Sequence, residues 1–152
     1  MYLFGTKTMF PKELDMETKA VVDKTQNVAD IAESMGIEQD AYNIDEGYFL
    51  GCMPVMYWRK ANAIHDWFVR NVQDNVDNCG YYWLSSDTLQ ELLNEIKQVL
   101  ETKVTDALKP TAGFFFGSQE IDEYYWQDLQ DTYDKLTPIV SKYDGFMYSS
   151  SW

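Results

Sequence analysis

Apolar and polar positions alternate from Met1 to Phe10, with Tyr2, Phe4, Thr6, Thr8 and Phe10 on one side and Leu3, Gly5, Lys7 and Met9 on the other. A period of two predicts a strand. The stretch from Gly145 to Trp152 is also short, aromatic and β-like, so a small sheet joining the two terminal strands is expected. Lys12 to Asn43 is the hardest part to read. Within it Val28, Ile31, Ala32 and Met35 keep helical spacing, and Gly36 supplies a stop signal.

Three further helices are expected. The first runs from about Pro54 to Asp74, with Pro54 suited to an opening position. The second covers Asp87 to Glu101, capped by Ser85 or Ser86, and carries Leu89, Leu92, Leu93, Ile96, Val99 and Leu100 on one side. The third covers Ile121 to Leu136, with Ile121, Tyr125, Leu129, Thr132 and Leu136 along one face and Pro138 as its stop. No internal repeat or composition shift marks a boundary. The reading is a single domain over residues 1–152, α+β and mainly helical: a three-helix core with a small sheet formed by the N- and C-terminal strands.

The size suits one sizeable core, and apolar content near half places the chain among globular proteins. No run of about 18 apolar residues exists, so no membrane span is expected. The first residues lack the pattern of a signal peptide, which favours a cytoplasmic setting and free thiols at Cys52 and Cys79. One histidine with two cysteines is too thin a set for a structural zinc site, and no metal or cofactor is expected. A net charge of −13 argues against nucleic acid as a partner, because a phosphate backbone needs a basic face. It also leaves two readings of the acids themselves, plain solubility or a surface that docks on a basic protein.

Against that background one segment stands out. Tyr57 to Val69 reads YWRKANAIHDWFV and holds the only histidine and two of the five tryptophans; with Arg70 just beyond it, both arginines are there. On a helical wheel Trp58, Ala61, Asn62, Ile64, His65, Phe68, Val69 and Val72 form one arc, with Arg59, Lys60, Asp66, Trp67 and Arg70 outside it. Asn62 and His65 therefore face the core and need hydrogen-bond partners. They are either a structural pair or the polar floor of a pocket rimmed by Trp58 and Arg59. The second unusual element is Gly113-Phe114-Phe115-Phe116-Gly117-Ser118. Neighbouring residues of a strand point to opposite sides, so at least one of these rings is expected to line a cavity, a partner or another element. Phe115 or Phe116 would complete the wall, and N–H groups near Ser118 suit a phosphate or carboxylate. Asp122 and Glu123 suit the first turn of a helix, and either could instead reach Arg59 or His65. No catalytic residue is assigned. There is no GxSxG, and Cys79 has one distant histidine as its base.

With these residues laid out, the chain resembles a family of small proteins encoded by tailed bacteriophages. The likeness rests on the Tyr57–Val69 block, Cys79-Gly80-Tyr81, Leu89-x-x-Leu92-Leu93, Gly113–Ser118, Asp122-Glu123-Tyr124 with Asp128-Leu129, and Ser150-Ser151-Trp152. It covers Tyr57 onward and departs where the chain is short between Leu100 and Pro110. The resemblance implies provenance, a phage protein acting in the cytoplasm of a bacterial host, and little chemistry. The leading expectation is a phage accessory protein, one that could counter host defence, binding a small anionic ligand such as a nucleotide or nucleotide-derived signal. Its site would comprise Trp58, Arg59, Lys60, Asn62, His65, Phe115, Phe116, Ser118, Asp122 and Glu123. The alternatives are an acidic protein that inhibits a host protein by direct binding or DNA mimicry, and a small enzyme using His65 as acid or base. A homo-oligomer stays open.

Overall fold

A computed structural model describes residues 1–37, 47–111 and 119–151. Its elements in chain order are β1 (Tyr2–Met9), β2 (Lys12–Leu14), β3 (Val21–Asp23), α1 (Thr25–Ser34), β4 (Phe49–Tyr57), α2 (Asn62–Asn71), β5 (Tyr81–Leu84), α3 (Ser86–Thr102), a 3-10 turn at Asp106–Leu108, α4 (Glu123–Leu136) and β6 (Gly145–Ser149). The chain divides into two compact units, one made of Met1–Thr6 with Cys52–Trp152, the other of Lys7–Gly51. Among the described residues no helix is long and apolar enough to cross a membrane.

The Lys7–Gly51 unit contains the β2–β3 hairpin, in register from Lys12 opposite Asp23 to Leu14 opposite Val21. Its turn is organised by Asp15, whose carboxylate accepts from the N–H groups of Glu17 and Thr18 at 2.9 and 2.7 Å. Helix α1 follows and buries Val28 and Ala32, as their spacing predicts. Gly36, at φ +73°, takes the left-handed conformation expected just past a helix end.

In the larger unit the terminal strands pair as expected. β1 and β6 are antiparallel, with Leu3 opposite Tyr148 and Gly5 opposite Phe146. β5 adds to the far side of β6, and β4 flanks β1, giving the order β4-β1-β6-β5. Met1 and Trp58 exchange both backbone hydrogen bonds at 3.0 Å, which makes the β4–β1 pairing antiparallel too. The sheet's inner face, carrying Leu3, Met56, Leu84, Phe146 and Tyr148, joins α2, α3 and α4 in one apolar core. Its outer face is aromatic: Tyr57, Tyr2, Ser149 and Tyr81 form one row across the four strands, and Phe4, Met147 and Trp83 most of the next. Alternation on β1 was legible, yet the side with more aromatic residues is the outer one.

Two expectations are corrected. The fold is α+β but not mainly helical around three helices, since a four-stranded sheet supplies a full wall of the core. The expected helix at Pro54–Asp74 begins at Asn62 and ends at Asn71. Pro54 lies in β4, an edge strand, where a residue without an N–H does no harm to the ladder. Lys60, at φ +64°, breaks the chain between strand and helix, and Asp74 and Asn75, at φ +50° and +62°, follow the helix end. Trp67, expected outside the buried arc, is 1% exposed because α2 is enclosed on nearly every side. The other two helices are close to expectation. Ser85 caps α3 by accepting from the Thr88 N–H at 3.0 Å, while Asp122 caps α4 and leaves Ile121 outside it.

Gly5 gives a test of the register. A methyl group there would lie 2.6 Å from the Tyr143 ring. Gly5→Ala should destabilise by about 1–3 kcal/mol in urea unfolding. In a Tyr143→Ala background the same substitution should cost clearly less, and an equal cost in both would contradict this packing.

Candidate functional site

The Tyr57–Val69 segment folds as strand end, left-handed turn and helix start, and this sorts its side chains. Trp58 is drawn inward: it is 2% exposed, lies against Phe68 and Tyr148, and donates its indole N–H to Thr132 Oγ1 at 2.8 Å. The expected rim tryptophan is thus a core residue. Arg59 and Lys60, in the turn, remain exposed, and Asn62 and His65 are buried at 6% and 2% exposure.

His65 joins two groups that are far apart in sequence. Its Nδ1 lies 2.6 Å from Tyr148 Oη and its Nε2 3.2 Å from Asp77 Oδ1. A carboxylate can only accept, so the neutral ring carries its proton on Nε2 and Nδ1 accepts from the Tyr148 hydroxyl. Burial, and then the Asp77 charge, push the Tyr148 phenol well above its ordinary range, which keeps it a donor. The expectation that His65 is buried and hydrogen-bonded holds. Its partners are Tyr148 and Asp77, which the sequence reading did not name, rather than Asp122 or Glu123.

A separate cavity of about 410 Å³ opens beside this relay. One wall is the start of α2, with Arg59, Lys60, Asn62, Ala63 and Ile64; the other is the start of α4, with Asp122, Tyr124, Tyr125, Asp128 and Leu129, and Pro110 and Glu120 complete it. No side chain caps α2 at Ala61, so its first turn faces the cavity without one. Neither Arg59 nor Lys60 has an ion-pair partner among the described residues. Across from them, burial raises the Asp128 carboxyl to about 6, with the charges of Asp131 and Asp122 adding to the shift. Burial also pushes the Tyr125 phenol up to about 12, and its hydroxyl donates to the Leu108 carbonyl at 2.9 Å.

The structure therefore brings together Arg59, Lys60, Asn62 and Asp122 of the expected site. Trp58, His65 and Glu123 do not line the cavity. Phe115, Phe116 and Ser118 lie outside the described residues. Asp128, Tyr124 and Tyr125 were not assigned to the site, although Asp128 could have been found. It lies on the same helical face as Tyr125, Leu129 and Thr132, a carboxylate among core positions.

Among the described residues no cluster of three or more His, Cys, Asp or Glu is placed to hold a metal ion, and Cys52 and Cys79 are exposed free thiols. Comparison with protein-family models, with curated proteins and with solved structures returns no match.

Two outcomes follow. His65→Ala should destabilise by about 1–3 kcal/mol by removing a buried partner of Tyr148. Tyr148→Phe should cost markedly less in that background than in the native chain, measured by a double-mutant unfolding cycle. Because Asp128 binds its proton more tightly when folded, its contribution is most favourable below pH of about 4 and is lost as pH rises to about 6. Asp128→Asn should remove that fall and gain about 1 kcal/mol at pH 7 relative to pH 4, after allowance for screening of a half-buried group. Parallel stability profiles for the two chains would contradict it.

Proposed function

We infer that this protein binds a small molecule carrying one anionic group and a planar polar part, a nucleotide or nucleotide-derived signal being the best fit. The observation that carries the reading is the pair Arg59 and Lys60 beside the uncapped start of α2, opening on a cavity of ligand size. Arg59 can grip a phosphate with two parallel hydrogen bonds, and the N–H groups of the first turn of α2 add to the charge match. Tyr124, 76% exposed at the cavity, offers a ring face on which a base can stack.

The opposite wall restricts the ligand further. Asp122 and Asp128 accept hydrogen bonds, so the part of the ligand that lies there must donate them, as the ring N–H and amino groups of a purine do. The same carboxylates would repel a second phosphate. A monophosphate or a cyclic nucleotide suits this arrangement better than a triphosphate. In a tailed-phage protein acting in a bacterial cytoplasm, such a pocket would serve to sequester a host signal. His65 is held by its structural partners Tyr148 and Asp77, and binding is the reading taken for the cavity.

A lysine in the left-handed region is strained by about 1 kcal/mol or more, which glycine would avoid. Lys60→Gly should therefore raise the melting temperature while weakening nucleotide binding. Calorimetry with a panel of mono- and cyclic nucleotides should show at least about tenfold weaker binding for Arg59→Ala, the loss of a charge-assisted pair. Should no nucleotide bind, or should both variants bind as tightly as the native chain, the pocket reading falls and inhibition of a host protein by the acidic surface takes its place.

A further inference from the structure

Two neighbouring rows on the outer face of the sheet carry no charge in a chain whose net charge is −13. Antiparallel register brings Tyr57, Tyr2 and Tyr81 into one row and Phe4, Met147 and Trp83 into the next. These side chains are not buried against the core. Tyr2, Tyr57, Tyr81 and Trp83 are 42%, 54%, 66% and 57% exposed. Tyr2 contacts both Tyr57 and Phe4, with ring centroids 4.9 and 6.0 Å apart, and the register sets Met147 between Phe4 and Trp83 and Ser149 between Tyr2 and Tyr81, so the exposed rings share one face rather than being scattered. Isolated apolar side chains need no explanation, but a contiguous patch of this kind marks an interaction surface.

We propose that this face binds a second copy of the same chain, the two sheets stacking face to face about a twofold axis. Three considerations select that occupant. The first is charge. A basic partner would be matched by carboxylates, and the two rows hold none. For an acidic chain, an uncharged face is the surface through which copies can meet without bringing like charges into contact. The second is shape. Twisted antiparallel sheets pack face to face with their strands nearly aligned, and a twofold axis places the same aromatic rows against each other. The third is area. The four most exposed rings leave roughly 500 Å² open per copy, taking about 200–250 Å² for a whole aromatic residue. Two copies thus remove about 1,000 Å² before any rim is counted, the size at which a specific interface becomes tenable. The composition is that of an interface centre, rich in Tyr, Trp and Met and free of Lys, Glu and Asp.

Sedimentation velocity or light scattering on the full chain tests this between about 1 and about 100 µM, the range that reveals a micromolar self-affinity. A monomer–dimer equilibrium is expected. It should strengthen as salt rises from about 0.05 to about 0.5 M, because salt screens the mutual repulsion of the two acidic copies while leaving apolar contact intact. Trp83→Asp and, separately, Tyr81→Lys should each give a monomer, with far-ultraviolet circular dichroism unchanged because both side chains point away from the core. Three results would overturn the proposal: a native chain that stays monomeric at both salt concentrations, a dimer that salt dissolves, or a dimer that survives both substitutions. Binding of the monomer to phosphatidylcholine vesicles with a blue-shifted tryptophan emission would assign the face to a lipid surface instead.

Discussion

The ring of Tyr148 is held on two sides, and the larger unit of the molecule is organised around it. It projects inward from β6, a central strand of the sheet, and stacks on Phe68 of α2 with ring centroids 3.9 Å apart and planes within 9°. Its hydroxyl meets His65, one helical turn before Phe68. Stacking fixes the height of α2 over the sheet, and the hydrogen bond fixes its rotation. Neither alone would do both: an apolar contact tolerates sliding, whereas a buried phenol without a partner is penalised by its desolvation. Asp77 extends the relay to the loop before β5, so the segment between α2 and the sheet is anchored by the same histidine.

The cavity follows from that placement. With α2 locked through Phe68 and His65, its first turn lies where the chain leaves β4, and Trp58 is pulled beneath it to reach Thr132 on α4. Thr132 accepts from Trp58 while donating to the Asp128 carbonyl at 2.6 Å, so one hydroxyl connects the strand end to the helix that forms the opposite wall. Only residues 58–61 lie between β4 and α2. Lys60 takes the left-handed conformation there. The two exposed cations at the cavity are thus placed by a buried tryptophan and a buried histidine, both of which the sequence suggests as ligand-contacting residues.

How far the sequence could be read depended on whether a pattern was local. β1, α3 and α4 were legible because each carries its own period, β6 because it is short and aromatic, and of the two serines offered as a cap for α3 it is Ser85 that serves. The terminal pairing is no local pattern; it was expected because two terminal strands tend to join one sheet. The stretch Phe49–Tyr57 was not. Its apolar residues satisfy a helix or a strand equally well, and what decides between them is the edge of β1, distant in sequence. Likewise His65 and Asn62 were readable as polar residues on a buried face, while Tyr148 and Asp77 could not be named as partners without the fold. Trp58 shows the limit of the wheel. An aromatic residue beside two cations reads as a pocket rim, but a tryptophan with a hydroxyl in reach of its N–H is at no disadvantage in the core.

Charge ties the cavity to the rest of the molecule. At physiological salt a carboxylate more than about 8 Å away is largely screened, so most of the −13 has little bearing on an anion once it is inside. What counts is the local set, two cations on the α2 side against Glu120, Asp122 and Asp128 on the other. With all five ionised, that set sums to −1. An anion would therefore be favoured only against the α2 wall, and the far wall would exclude it from the rest of the cavity. Asp128 lies at the point of greatest tension. Burial and two neighbouring carboxylates already raise its proton affinity, so a group that donates a hydrogen bond to it would be favoured there. Orientation of the ligand would then come from opposition between the walls as much as from attraction to either one.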